Sequence, residues 1–119
     1  MHLPSAGDIV WVNLDPVEGT EQAGRRPALI LTPRSYHAKA QRSVVCPITS
    51  RSRDWPWEVQ LPDGLKTKGV VLVDQIRTID RARRMLGFVE PVPDDVLSNV
   101  LGKLASLLGV GLSLVGADR

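Results

Sequence analysis

The residues best equipped for chemistry stand in one short stretch, Glu21-Gln22-Ala23-Gly24-Arg25-Arg26-Pro27. It sets a carboxylate, an amide and two guanidinium groups in a glycine-containing loop just ahead of an apolar run. Pro27 fixes its own φ and biases Arg26 towards extended geometry, which gives that side chain a defined direction. A guanidinium is a planar fork of donors that keeps its charge, suited to holding the oxygens of a phosphodiester while it reacts. Thr49 closes a second apolar run, where its hydroxyl can face the same loops, and Ser50-Arg51-Ser52-Arg53 follows it with hydroxyls and two cations. Gln22, Asp74, Gln75 and Arg77 are accessory candidates. Plainer readings stand beside these. Arg26 can form a surface ion pair with Glu21, Glu21 and Glu18 can be solvated loop carboxylates, and Thr49 can bond local backbone at a strand end.

Other chemistries find less support. His2, His37 and Cys46 have no partner ligand at a recognised zinc spacing. The chain has no phosphate loop of the Walker type and no G-x-S-x-G elbow. Cys46 is the single cysteine, so no intramolecular disulfide can form, and its apolar neighbours favour inert burial over a reactive thiol.

The elements that must position these groups are short. Apolar or alternating runs at 9–14, 28–32, 44–49, 57–61, 69–73, 75–80 and 85–89 predict seven strands. The first is buried on much of both faces. Alternation puts Gln75, Arg77 and Ile79 on one side of the sixth. Pro47 cannot donate to a ladder, so the third strand should be an edge, bulged or broken there. Residues 35–41 predict one or two helical turns, with Ser35 as a cap. A C-terminal helix begins at an Asp94 cap and ends at Gly109, with Val96, Leu97, Val100, Leu101, Leu104, Leu107 and Leu108 as its core-facing stripe. Trp11 and Trp57 belong to the core. Several short strands with one terminal helix imply a mainly β domain, a strongly bent sheet closing into a small barrel. The domain spans residues 1–109 and a tail spans 110–119.

Of 119 residues, 43% are hydrophobic and only 4% aromatic, so the core must be largely aliphatic. The net charge of +2 conceals an asymmetry: residues 25–84 hold 13 Lys/Arg against 5 Asp/Glu, between acidic ends. A basic middle fits a polyanion partner, or a solvated, charge-rich surface. The chain has neither a leader-like apolar segment near Met1 nor a run long enough to span a bilayer, which predicts a soluble cytoplasmic protein without membrane partners.

Taken together, several segments carry a family resemblance. They are Gly7-Asp8-Ile9-Val10-Trp11-Val12, Asp15-Pro16, Gly19 to Pro27, Val45-Cys46-Pro47-Ile48-Thr49, Pro56-Trp57-Glu58-Val59 and Asp74-Gln75-Ile76-Arg77-Thr78-Ile79-Asp80. Their order and spacing over roughly residues 7–108 resemble the MazF/PemK-type toxins of type II toxin–antitoxin systems. The resemblance implies a homodimer of SH3-like (CcdB/PemK-type) barrels with RNA bound across the dimer groove. It implies a ribosome-independent, sequence-specific endoribonuclease needing no metal or other cofactor. The family's catalytic arginine and threonine fall on Arg26 and Thr49, and its supporting loop glutamate on Glu21. Gln22, Arg25, Arg51, Arg53, Trp55, Gln75 and Arg77 become the RNA-binding candidates, with Arg83 a further backbone contact; Trp55 either stacks on a base or packs beside Pro56. The implied partners are single-stranded mRNA and an antitoxin with an acidic disordered segment. The rivals are a gyrase-poison toxin on the same barrel, which inhibits by binding protein, and a passive SH3-like binding module.

Overall fold

The computed structural model describes residues 3–110. Its seven strands among the described residues are β1 (Asp8–Asn13), β2 (Arg25–Ile30), β3 (Arg42–Thr49), β4 (Glu58–Gln60), β5 (Val70–Leu72), β6 (Arg77–Asp80) and β7 (Met85–Pro91). All pairings are antiparallel, in the order β4-β5-β3-β2-β1-β7, with β6 also paired to β3. The helices are α1 (Arg34–His37), α2 (Arg81–Arg84) and α3 (Asp94–Leu107).

β3 is the hub. One edge pairs β2; the other pairs β6 through residues 42–45 and β5 through 48–49. Contrary to expectation, Pro47 lies within a continuous interior strand. Leu31 N donates to Val44 O at 2.8 Å, so by antiparallel alternation the Ala28–Pro47 pair is a non-hydrogen-bonded one. The proline nitrogen therefore faces the other edge, in the gap where β6 leaves off and β5 begins, and no ladder bond is lost.

Alternation sorts the aliphatic residues onto two faces. Ile9, Leu29, Cys46, Ile48, Val71 and Val73 form one core with Val96 and Val100 of α3. Val10, Val12, Leu14, Ala28, Ile30, Val45 and Ile79 form the other. This is the mainly β barrel with a C-terminal helix that the patterning predicts. Burial pushes the Cys46 thiol up to about 12, with the Asp74 charge adding to it, as an inert core thiol requires.

Several local expectations change. Val73–Gln75 form a single 3₁₀ turn, so Gln75 precedes the sixth strand and does not share its face. α1 is one turn, with Pro33 and not Ser35 at its N-cap position and no side-chain cap bond. α3 has Pro93, not Asp94, at its N-cap position with no side-chain cap bond, and Asp94 and Asp95 stand in its first turn, where they suit the helix dipole. Only part of its stripe is core: Leu101 and Leu108 are 42% and 65% exposed. Trp11 is 46% exposed: it lies on the Ile9 face of β1 but is not part of that core cluster. The tail beyond residue 110 lies outside the described residues.

Candidate active site

Arg26 sits near the start of β2, where the Val17–Gly24 loop rejoins the sheet. Its Nε donates to Ala23 O at 2.9 Å and its Nη1 to Ile48 O at 3.4 Å. The second contact brings the guanidinium of one strand to the residue before Thr49 on another. Of five guanidinium hydrogens, two are engaged by these carbonyls and three remain for a ligand. Arg26 is thus held by carbonyls, in place of the Glu21 ion pair. Thr49 Oγ1 accepts the Arg51 N–H at 3.3 Å, the local backbone bond that a strand-ending threonine favours. Its own hydroxyl hydrogen and a lone pair stay available.

A second close approach fixes Thr49. Gly69 has φ +116°, and a Cβ built on it would stand 2.0 Å from Thr49 O. Only glycine permits that conformation and that packing of the β5 entry against the end of β3.

Arg26 and Thr49 line one cleft of about 650 Å³. Gln22, Arg51, Arg53, Trp55 and Gln75 line it too, so seven of the ten sequence-predicted residues converge. Gln22 N donates to Gln75 Oε1 at 2.8 Å and pins the first loop to the 3₁₀ turn across 53 residues of chain. Trp55 is 50% exposed, and its indole N–H donates to Asp74 Oδ2 at 2.7 Å. Glu21 and Arg77 line an adjoining recess of about 340 Å³ that shares Thr20, Gln22, Asp74 and Gln75 with the cleft. Glu21 Oε1 accepts the Glu18 N–H at 2.7 Å, and Arg77 Nη1 donates to Leu14 O at 3.3 Å. Arg25 and Arg83 are exposed and line neither space.

Sequence reading names Asp74 only as an accessory and Ser52 only as a nearby hydroxyl, and it misses Glu58, to which Ser52 is bound. Glu58 accepts from Ser52 Oγ at 2.7 Å and from Arg53 N at 3.1 Å. Burial works to raise its pKa, but the hydrogen bonds from Ser52, Arg53 and Trp55 outweigh that and hold the carboxyl below its ordinary value. The one available signal was position: Glu58 opens an alternating strand directly after a polar loop. Two more arginines proved structural. Arg81 donates to Arg42 O, His37 O and Ala40 O, and Arg84 to Asn13 O and Asp15 O. Among the described residues, no cluster of three or more His, Cys, Asp or Glu is arranged to hold a metal ion, and no helix is long and apolar enough to cross a membrane.

Such a cleft presents fixed cations, hydroxyls and an aromatic face to a flexible polyanion. Comparison with known proteins gives the family. The endoribonuclease toxin MazF of Escherichia coli K12 is 36% identical over 108 residues, covering 91% of this chain and 96% of its own. A crystal structure of MazF from Deinococcus radiodurans superposes with a TM-score of 0.87 at 47% identity, over 92% of this chain and all of that one. A MazE–MazF structure from the same organism superposes with a TM-score of 0.81 at 46% identity, over 93% of this chain and all of that one. The model of the PemK-like, MazF-like toxins of type II toxin–antitoxin systems matches residues 5–108, and the chain belongs to that family.

Proposed function

We propose that this toxin is a ribosome-independent endoribonuclease whose Arg26–Thr49 cleft cuts single-stranded mRNA. The observation that carries the reading is the Arg26 guanidinium seated against Ile48 O, the residue before Thr49, in a cleft also lined by Thr49, Arg51 and Arg53. RNA supplies its own nucleophile. The ribose 2′-oxygen forms a bond to the adjacent phosphorus, the bond from phosphorus to the 5′-oxygen breaks, and the products end in a 2′,3′-cyclic phosphate and a 5′-OH.

The protein's tasks are to hold the backbone in line, stabilise the developing charge and move two protons. Arg26 meets the non-bridging oxygens with its remaining donors. Thr49 orients one such oxygen or the 2′-OH. Of the carboxylates around the cleft, Glu58 and Asp74 are engaged with the 51–55 loop and with Trp55. Glu21, lining the adjoining recess, is the remaining carboxylate to take the 2′-OH proton. Water in the open cleft protonates the leaving oxygen. The step needs no metal, so it runs in EDTA. Gln22 and Gln75 in the cleft and Arg77 in the adjoining recess extend the RNA contact, with Arg25, outside both, a further contact for the backbone, and unstacked bases suit a site with an exposed indole.

The protein acts as a homodimer and is silenced by an antitoxin whose acidic, disordered segment folds over the cationic cleft. Trp11, Leu86 and Phe88, exposed on the neighbouring strands β1 and β7, offer apolar surface of the kind protein partners cover. Residues 1–109 form the toxin domain, and 110–119 are a tail outside it. With mRNA as substrate, the cytoplasm is its compartment.

The test is a defined single-stranded transcript incubated with purified protein, EDTA and no gyrase. Site-specific fragments with the stated ends are expected, and none with Arg26→Ala, whose circular dichroism should match wild type. An intact transcript would favour a protein-binding toxin, and normal cutting by Arg26→Ala would remove the arginine from the mechanism.

A further inference from the structure

Glu58 and Asp74 line a cleft that is otherwise suited to a polyanion. Facing phosphate, each would oppose binding. Their hydrogen bonds account for their presence. Glu58 Oε1 takes the Ser52 hydroxyl at 2.7 Å, and both carboxylate oxygens share the Arg53 N–H at 3.3 and 3.1 Å. The Glu58 N–H donates to Trp55 O at 3.0 Å. Between these anchors, Asp54 has φ +54°, the left-handed region that aspartate tolerates in turns better than most non-glycine residues. Its N–H donates to Ser52 Oγ at 3.2 Å. The next residue is Trp55, held through its indole N–H by Asp74 and half exposed at the cleft wall.

We propose that Glu58 is a positioning residue for substrate recognition. It folds segment 51–55 so that Trp55 presents a preset ring on which one RNA base stacks, beside the phosphate-holding end made by Arg26 and Thr49. The inference rests on the cleft being the nuclease site. Removing the carboxylate frees Ser52 and Arg53 N, lets the left-handed turn relax, and leaves the loop to be ordered by the RNA. That ordering weakens affinity and leaves the chemical step at Arg26 largely intact.

The experiment uses the full chain and a labelled oligoribonucleotide spanning the mapped cut, with one 2′-deoxynucleotide at the scissile position to prevent turnover. Fluorescence anisotropy gives Kd; the all-ribose oligonucleotide gives the single-turnover rate at saturation; thermal melting monitors the fold. Glu58→Ala should weaken binding by about tenfold, within the range for losing one stacked base, while the saturating rate falls less than about threefold. Glu58→Gln keeps an acceptor for Ser52 and should lose less than about threefold. Trp55→Ala should weaken binding as much as Glu58→Ala, and adding Glu58→Gln to it should cost nothing further. Wild-type Kd for Glu58→Ala overturns the inference, as does a lost saturating rate with unchanged Kd, which would make the glutamate an acid or base. If Glu58→Ala does not fold, the Trp55→Ala and Glu58→Gln pair decides, and additive losses overturn the proposal. Failure of the underlying reading is separate: Arg26→Ala would still cut. An inactive Arg26→Ala beside a Glu58→Ala that binds normally rejects this inference alone.

Discussion

At the scale of single residues, the proposed chemistry depends on what Arg26 can still offer after the fold has used part of it. Ala23 O and Ile48 O orient the fork and leave it most of its donors. Lysine would keep the charge but lose the planar, bidentate geometry. Arg26→Lys should therefore cut about 10²-fold more slowly or worse in single-turnover assays, with its melting temperature near wild type. Thr49→Ser keeps the hydroxyl and should retain most activity, whereas Thr49→Val keeps shape and loses it; equal rates for the two would remove the hydroxyl from the mechanism. Much of this was legible beforehand. Pro27 announces the direction of Arg26, and the end of an apolar run announces Thr49. The bond from Trp55 to Asp74 was not legible, because 19 residues and a change of strand separate the two and neither type demands the other. The use of Arg81 and Arg84 as carbonyl clamps was equally hidden. A basic run looks the same in sequence whether it meets RNA or its own backbone.

At the scale of elements, the site is the corner where β3 changes partners. The hydrophobic pattern reports that each run exists and which side chains share a face. It says nothing of which strand lies beside which, and so pattern alone reads Pro47 as a weak point in a strand that tolerates it at a partner gap. Periodicity also extended the stripe of α3 past what the sheet covers, since a helix keeps its period whether or not a neighbour reaches it. The sharpest element-level constraint is Gly69 against Thr49 O. Gly69→Ala adds a methyl into backbone at a positive φ and should destabilise by more than about 1 kcal/mol, read as a lower midpoint in urea. It should also slow cleavage in the protein that remains folded, because the β3 end must move. Wild-type stability and rate would mean that the corner is looser than described.

At the scale of the whole molecule, charge asymmetry pointed to a polyanion partner, but the fold spends part of that charge internally. Arg51 and Arg53 bring cationic charge to the cleft wall, although Arg53 also faces the Glu58 carboxylate, so RNA affinity should fall as salt rises. The acidic groups carry a pH signature of their own. Burial works to raise the pKa of Glu90, but hydrogen bonds from Lys66 N and from the hydroxyl and N–H of Thr67, helped by the Lys66 charge, outweigh it and hold the carboxyl below the ordinary value of 4.5. A depressed folded pKa contributes stability above the unfolded value, lost as pH falls through the folded one. Melting temperature should hold from neutral pH down to about that ordinary value and drop below it. Glu90→Gln should melt lower at pH 7 and decline less in acid; parallel curves for the two proteins would contradict that assignment. The claim beneath all of this is that the cleft holds one linkage while the RNA's own 2′-oxygen attacks. Its most direct test replaces a single nucleotide at the mapped cut with its 2′-deoxy form, in EDTA. The account predicts unchanged binding and no cleavage at that linkage, with cutting intact at an unmodified copy of the site in the same strand. Cleavage at the deoxy linkage would assign the attack to another nucleophile and contradict the account.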